Sequence, residues 1–285
     1  MAEPSRRFTV ASFTASDGYC LHYRHYAAGG AGARGHVIAL HGIQSHAGWY
    51  SYSCTRLSEA GFNVSFLDRR GSGMNRENRG DTTSFRRLLT DLAEFIDHLG
   101  AAGNSQPVFL AGISWGGKLA VALQRFQPRP LAGIVLLCPG FCPRVRPPFV
   151  ERVRIAWARL LTPTRLFPIP LNNPELFTVT PEWLDFLRGD SLSLHRATAR
   201  FLVESVRLDR YLRHVPRHVH VPVLLLMAEK DRIIDNRRTR QFVERFASRD
   251  VQIIEYPGAH HTLEFEPDPD RFVTDLTHWL EQHAS

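Results

Sequence analysis

The stretch Gly112-Ile113-Ser114-Trp115-Gly116 constrains the fold more than any other feature of this sequence. The apolar run VFLAG, typical of a buried strand, leads directly into it, and a helical pattern follows at once. A serine on so tight a strand-to-helix turn has a strained backbone, so its neighbours must be small enough for the chain to approach itself. Gly112 and Gly116 meet that need, and the turn exposes the Ser114 hydroxyl. The alternative is an incidental serine in a glycine-rich helix start.

Short apolar runs alternate with amphipathic stretches, which predicts βαβ units and a mostly parallel sheet of the α/β class. An antiparallel hairpin is predicted first, because Asp17-Gly18 favours a tight turn between two such runs. The predicted strands are 8–14, 19–26, 36–41, 62–67, 107–113, 131–137, 221–228 and 251–256. The predicted helices outside the region discussed next are 49–60, 84–100, 115–126, 236–247 and 268–283.

The alternation stops between residues 139 and 216, in a region rich in proline and arginine. A structureless loop of that length is not expected in a compact domain, so we predict a helical subdomain inserted between two strands. Helical patterns within it cover 148–161, 181–187 and 193–208. The sequence therefore predicts a core of residues 1–138 and 217–285 and a helical cap at 139–216.

A serine hydroxyl needs a base to accept its proton, and later strand ends are where a parallel sheet would supply one. Glu229, Asp231 and Asp235 follow one predicted strand, and His260 and His261 follow the last. The chain order is therefore serine, acid, histidine. This is one of the known chain orders of Ser-His-Asp hydrolytic sites, although the pattern alone does not choose among the acids or between the histidines.

Two backbone N–H groups are expected to face the negative charge that forms when a serine attacks a carbonyl. The N–H of Trp115 lies at a helix N-terminus, directly after Ser114. The second should come from the loop after the third strand, where Gly42 permits an unusual backbone angle. That leaves the Ile43 N–H free to point at Ser114.

Composition excludes several other classes of protein. With 44% apolar and 22% charged residues the chain is ordinary and globular. Its longest apolar stretches, 131–138 and 221–228, fall short of the roughly 20 residues of a membrane-spanning helix. MAEPSRRFTV lacks the apolar stretch of a secretory signal, so we expect a cytoplasmic protein.

The net charge of +7 does not by itself indicate a nucleic-acid partner. All basic residues except Lys118 and Lys230 are arginines, so an arginine bias of the whole chain explains the charge, and no nucleic-acid motif accompanies it. Cys138 and Cys142 have no matching His/Cys pair nearby. We therefore expect no nucleic acid, no metal and no cofactor.

Assembled, these residues resemble the α/β-hydrolase superfamily, and within it the monoacylglycerol lipase/lysophospholipase-like branch of S33-type serine hydrolases. The resemblance implies a mostly parallel eight-stranded sheet with helices on both faces and an inserted helical cap. It also implies Asp231 as the acid and His261 as the base, since the family's histidine follows Gly-Ala-x and precedes a glutamate, here Glu266, by five residues. Asp235 would instead cap a helix. The motifs that carry the resemblance are LHG (40–42), LDRRGSG (67–73), the serine turn, EKDRII (229–234) and PGAHH (257–261).

The loop after the third strand departs from monoacylglycerol lipases, which carry H-G-x-x-E-H and then an arginine before a tyrosine. Ser45 stands at the glutamate and Trp49 at the arginine. Losing a carboxylate and a guanidinium weakens monoacylglycerol as the particular substrate and leaves ester hydrolysis intact. The residues expected to contact a substrate are His41, Gly42, Ser45, His46, Trp49 and Trp157.

The predicted cap is rich in arginine. Between residues 142 and 171 six arginines stand against a single acid, Glu151. One interpretation is weak contact with an anionic membrane surface, or with a substrate that bears a carboxylate or phosphate. The other is a solvated helix face in an arginine-biased protein. Trp157 and its apolar neighbours could line an acyl tunnel, although such a stripe is also typical of packed core.

The sequence predicts a monomeric or weakly associating serine hydrolase acting on a small-molecule ester or a lipid-like substrate. Ser114, His261 and Asp231 would form the triad, and the N–H groups of Ile43 and Trp115 the oxyanion hole. Thioesterase, acyltransferase, peptidase and carbon–carbon bond hydrolase activities use the same triad and stay open. A non-catalytic binding protein is disfavoured because no triad position is lost. Dehalogenases and epoxide hydrolases are disfavoured because they use an aspartate in place of Ser114.

Overall fold

The structure is a computed structural model that describes residues 8–30, 32–100 and 106–284. The prediction that MAEPSRRFTV is not a secretory signal concerns residues 1–10. Residues 1–7 of that segment lie outside the described residues. The strands are β1 (Thr9–Thr14), β2 (Cys20–Tyr26), β3 (Gly35–Leu40), β4 (Phe62–Leu67), β5 (Val108–Ile113), β6 (Gly133–Leu137), β7 (Leu166–Pro168), β8 (Arg196–Thr198), β9 (Val223–Ala228) and β10 (Val251–Tyr256). The α-helices are α1 (Ser51–Glu59), α2 (Phe85–Gly100), α3 (Trp115–Phe126), α4 (Phe149–Leu161), α5 (Pro181–Gly189), α6 (Ala199–Leu212), α7 (Asn236–Val243) and α8 (Asp270–His283).

Eight strands form the main sheet in the order β1-β2-β4-β3-β5-β6-β9-β10. The pairs β1 with β2 and β2 with β4 are antiparallel, and every neighbouring pair from β4 to β10 is parallel. The predicted hairpin and the mostly parallel eight-stranded sheet are therefore confirmed. After β3 the chain places β4 on one side and β5 on the other, and the crevice at such a reversal is where α/β sheets bind ligands.

The central strands are hydrophobic because both faces of the sheet are covered. Every residue of β3, β6 and β9 is buried. The parallel strands deliver their carboxyl ends to one edge of the sheet, which therefore collects the segments that follow β3, β5, β9 and β10.

Between β6 and β9 the chain builds α4, α5, α6 and a small antiparallel pair, β7 with β8. We call residues 139–216 the insertion. The predicted helix 193–208 is wrong at its start, because residues 196–198 form β8. The side chain of Thr198 then accepts a hydrogen bond from the Phe201 N–H and begins α6.

Among the described residues, no helix combines the length and the apolar character needed to cross a membrane.

Candidate active site

Ser114 lies on the turn between β5 and α3 with φ 50° and ψ −118°. A residue with a Cβ rarely adopts a positive φ, so neighbouring structure must hold it there. The Ser114 N–H donates to the Leu137 carbonyl at 2.9 Å. Close approach also requires both flanking glycines. A Cβ on Gly112 would lie 2.6 Å from the Gly117 Cα, and one on Gly116 would lie 2.5 Å from the Leu40 carbonyl oxygen.

His261 links the Ser114 hydroxyl to a buried carboxylate. Its Nε2 lies 2.9 Å from Ser114 Oγ, and its Nδ1 lies 2.6 Å from Asp231 Oδ2. The other oxygen, Asp231 Oδ1, accepts the N–H groups of Ile233 and Ile234 at 2.8 and 3.0 Å, which fixes the carboxylate. Because a carboxylate only accepts, Nδ1 carries the imidazole proton and leaves Nε2 able to accept one from Ser114.

The alternatives that the pattern left open, Glu229, Asp235 and His260, have other partners, and Glu229 Oε2 accepts the Gly258 N–H. His260 Nδ1 lies 3.1 Å from Glu266 Oε1, which also accepts the His260 backbone N–H at 2.8 Å. Asp235 caps α7 by accepting a backbone N–H from its first turn. Glu266, whose spacing selected His261, therefore contacts the neighbouring histidine.

The loop after β3 presents the N–H of Ile43. His41 Nδ1 donates to the Gly42 carbonyl at 2.8 Å, while its Nε2 accepts the Arg69 N–H at 3.0 Å. Burial holds the pKa of His41 well below its ordinary value, so the ring is neutral. The Gly42 carbonyl and the Ile43 N–H belong to one planar trans peptide, so fixing the carbonyl fixes the N–H in the opposite direction. Within the described residues, neither this N–H nor that of Trp115 donates a hydrogen bond.

Ser45, His46 and Trp49 already have partners inside the protein. Ser45 Oγ accepts the Gly42 N–H at 2.9 Å. His46 Nε2 and Trp49 Nε1 lie 3.0 and 2.8 Å from Asp190 Oδ2, at the end of α5. Burial acts to raise the pKa of Asp190, but hydrogen bonds from His46, Ser193 and Trp49 outweigh it and hold that pKa below its usual range. The side chains of His46 and Trp49 therefore fasten the insertion to the core.

A cavity of about 820 Å³ opens on Ser114. Ile43, Ser114 and Trp115 contribute to its core side, and α4, α6 and the segment 169–171 supply most of the other walls. None of the six predicted substrate-contact residues, all within the described ranges, lines this cavity. Gly42 comes nearest, since a Cβ there would lie 3.3 Å from Ser114 Cβ. Trp157 is 62% exposed on the outer side of α4, because that helix buries only Ile155 and Ala158.

The protein-family model described as serine aminopeptidase, S33, matches residues 31–268. The chain belongs to this family. A monoacylglycerol lipase from Mycolicibacterium smegmatis is 30% identical over 261 residues, which cover 88% of this chain and 89% of that protein. Phospholipase YtpA of Bacillus subtilis is 22% identical, and the match covers 81% of this chain and 89% of that protein. The solved structure of a Paleococcus ferrophilus monoacylglycerol lipase superposes with a TM-score of 0.82, at 24% identity, over 92% of this chain and 99% of that one.

This S33 hydrolase therefore has the α/β-hydrolase fold that the sequence resemblance implied. The expected likeness to monoacylglycerol lipases is also confirmed, and it extends over most of the chain.

Sequence reasoning gave no role to Arg69, yet in this S33 hydrolase it touches both Ile43 and Trp115, which line the cavity. Arg69 Nη2 donates to the Ile43 carbonyl at 2.5 Å, and the guanidinium lies 5.1 Å from the centre of the Trp115 ring. The side chain is almost fully buried, and its Nε and Nη1 have no hydrogen-bond partner among the described residues. Burial lowers the pKa of Arg69 to about 9, so it stays charged at neutral pH. Its place soon after β4, at the sheet edge that carries Ser114, was the available signal.

One group of described side chains has the geometry of a possible metal site. Ligand atoms of Cys138, Asp231 and His261 lie within 4.8 Å of one another. Burial raises the pKa of the Cys138 thiol well above its ordinary value, and a thiol must lose its proton to bind a metal. Both nitrogens of His261 also have protein partners. The group therefore suits hydrogen bonding better than metal binding.

Proposed function

We propose that this protein is a serine hydrolase that cleaves carboxylic esters through Ser114, His261 and Asp231. One observation carries the proposal. An unbroken hydrogen-bonded chain of 2.9 and 2.6 Å joins a strained, cavity-facing serine to a buried carboxylate through a histidine. A structural serine needs neither the positive φ nor the two-step connection to a carboxylate.

The geometry supports an acyl-enzyme route. Ser114 Oγ attacks the ester carbonyl while His261 Nε2 takes its proton, and Asp231 stabilises the imidazolium. The N–H groups of Ile43 and Trp115 hold the oxyanion, a contribution worth about 2.7–4 kcal/mol for each such donor in other enzymes. His261 then protonates the departing alcohol and activates the water that releases the acid. No step requires a metal or another cofactor.

The insertion would act as a cap that shapes the substrate cavity. Its walls of α4 and α6 face Ser114 across the cavity. The names of the relatives support an ester or lipid-like substrate of the monoacylglycerol or lysophospholipid type. The side chains of His46 and Trp49 already contact Asp190. Ser45 also stands where monoacylglycerol lipases carry a glutamate. Both facts argue against glycerol as a specifically bound alcohol.

Labelling with a fluorophosphonate probe and ester hydrolysis test this proposal together. The native protein should be labelled and should hydrolyse p-nitrophenyl esters, while Ser114→Ala should lose both, because the attacking oxygen is gone. Ser205→Ala is the matched control, since that serine lines the same cavity and its hydroxyl accepts a hydrogen bond from the Trp115 indole, away from His261. A folded Ser114→Ala protein that is labelled and active like the native one would refute the proposal.

Substrate panels separate esterase activity from the other activities of such a site. Esters of increasing acyl length should be compared with thioesters, an aminoacyl anilide and an added acceptor alcohol. We expect ester hydrolysis to dominate, because the arrangement of Ser114, His261 and Asp231 suits attack on an ester carbonyl. Faster turnover of the thioester or the anilide would reassign the reaction class while retaining Ser114.

A further inference from the structure

Cationic side chains dominate the charge around the cavity that opens on Ser114. Two of the cations have acidic partners. Lys118 Nζ lies 2.6 Å from Asp209, the only acidic residue among the described lining residues, and Arg207 Nη1 lies 2.6 Å from Glu204. The lining cations are Lys118, Arg146, Arg152, Arg207, Arg210 and Arg213.

The remaining four cations, Arg146, Arg152, Arg210 and Arg213, have no carboxylate within 4.0 Å among the described residues. The side chain of Arg146 donates only to the Pro143 carbonyl, at 3.3 Å. Like charges that converge on one cleft repel one another and create a field that concentrates anions. Asp209, the one acidic lining residue among those described, is already paired with Lys118.

The arginines at the end of α6 lie at a distance from the reactive serine. Ser205 on α6 accepts the Trp115 Nε1–H at 2.9 Å, which places this part of α6 beside the serine turn. At 1.5 Å per residue, Arg210 lies about 7.5 Å and Arg213 about 12 Å further along the chain. The apolar residues of the wall flank Ser205, since Leu202 and Val203 precede it on α6 and Val206 follows it. The cavity thus has a reactive end at Ser114, apolar wall beside that end and a cationic rim formed by the four arginines without a carboxylate partner.

We infer that the substrate is an ester that carries an anionic group, a carboxylate or a phosphate, far enough from the scissile carbonyl to reach the arginine rim. The ester binds at Ser114, and the anion contacts the arginine rim. This inference rests on the proposed function, because it takes Ser114 as the reactive end. The anion would contact the four lining arginines that have no carboxylate partner among the described residues.

Two pairs of monomeric esters test the inference. The first pair is the p-nitrophenyl monoester of a dicarboxylic acid and its methyl-capped analogue of equal length. The second is a 1-acylglycerol 3-phosphate and the matching 1-acylglycerol, which place the charge on the alcohol side. We expect kcat/KM to be about tenfold higher for the anionic member of at least one pair at low salt, mainly through KM. This preference should shrink towards 1 M salt, where the screening length is about 3 Å.

Variants that remove the same charge from different positions show which arginines cause the preference for the anionic ester. Arg152→Gln with Arg210→Gln should abolish the preference, whereas Arg154→Gln with Arg217→Gln should keep it. The second pair removes the same charge from exposed positions outside the cavity lining. Preference that survives the first double variant, or that is absent from both ester pairs, would overturn the inference. So would a charge effect seen only with anionic vesicles, which would indicate membrane contact.

The two proposals fail in different ways. If the native protein hydrolyses neutral and anionic members equally, the rim inference is wrong and the esterase proposal stands. If it hydrolyses neither these nor simple p-nitrophenyl esters, the proposed function itself is wrong.

Discussion

The two sides of the cavity are built differently. On the core side, Ser114, Asp231 and His261 follow the carboxyl ends of β5, β9 and β10, and each has a defined hydrogen-bond partner. On the insertion side, α4 buries only Ile155 and Ala158, and leaves large side chains in water. Its exposed apolar residues include Phe149 at 74%, Leu160 at 76% and Leu161 at 75%.

The groups proposed to react thus lie on the core side of the cavity, and much of the wall proposed to select the substrate lies on the insertion side. The core side belongs to one large apolar cluster, whereas Ile155 and Ala158 pack with Phe167 and Ala199 in a small separate one. Segments with few buried contacts open at lower free energy than the core does. The chemical groups are therefore rigidly placed, and the α4 part of the wall opposite them can vary in sequence without disturbing them. Four predictions test this contrast with substitutions on the two sides.

The largest effect is expected at His261. His261→Gln removes the proton acceptor for Ser114 and should lower kcat/KM by about 10⁴-fold or more with the fold intact. Replacing His260, or the exposed His195 of the insertion, by Gln should change kcat/KM less than about fivefold. Initial rates on a p-nitrophenyl ester, with circular dichroism as the folding check, measure this. An active His261→Gln beside an inactive His260→Gln would show that the bases are exchanged.

Glu264 should make core stability depend on pH. Burial raises its pKa to about 7 from 4.5, against an opposing hydrogen bond from Ser53. The folded state thus keeps a proton that the unfolded chain releases, so the free energy of unfolding falls as pH rises from 4.5 to 7, by about 3 kcal/mol from this group.

Glu264→Gln should therefore become more stabilising, relative to the native protein, as pH rises from 4.5 to 8. Urea unfolding at the two pH values measures the change. The exposed Glu175 of the insertion is the control, and Glu175→Gln should show no such trend. A stability difference for Glu264→Gln that is the same at both pH values would contradict the assignment.

Glycines on the two sides should respond oppositely to a methyl group. A Cβ on Gly116 would meet the carbonyl oxygens of Leu40 and His41 at 2.5 and 2.7 Å, and backbone cannot easily move away. Gly116→Ala should therefore cost about 2 kcal/mol of unfolding free energy. Gly189, at the end of α5, has nothing within 4 Å, so Gly189→Ala should be neutral or slightly stabilising. If Gly116→Ala and Gly189→Ala changed the free energy of unfolding equally in denaturant, the expected difference between the two sides of the cavity would be wrong.

The smallest of the four effects is expected from Arg69, as a positioning residue. Arg69→Met keeps the buried stem but loses the bond to the Ile43 carbonyl and the charge beside Trp115. We expect kcat to fall about tenfold with KM nearly unchanged, because the oxyanion donors matter most in the transition state. Affinity for a trifluoromethyl ketone should fall in parallel, and Arg154→Met in the insertion should change neither. A lower melting temperature with unchanged kcat would show a purely structural role.

Local patterns predicted the strands, most helices and the serine turn, because each depends on short-range periodicity and glycine sterics. The partners of side chains were harder, since they depend on residues far apart in sequence. Asp190 lies 144 positions from His46, and nothing local to either predicts that they meet. Trp157 shows a related limit, because an amphipathic pattern does not reveal whether its apolar face is covered.

Asp190 also has a consequence for how this enzyme scaffold would change under selection. Its carboxylate engages His46 and Trp49, so altering either to create a new alcohol contact would break one of the links between the insertion and the core. Mutations that redirect substrate preference would therefore accumulate on α4, which buries only Ile155 and Ala158. A directed-evolution experiment on this chain should find its adaptive changes there.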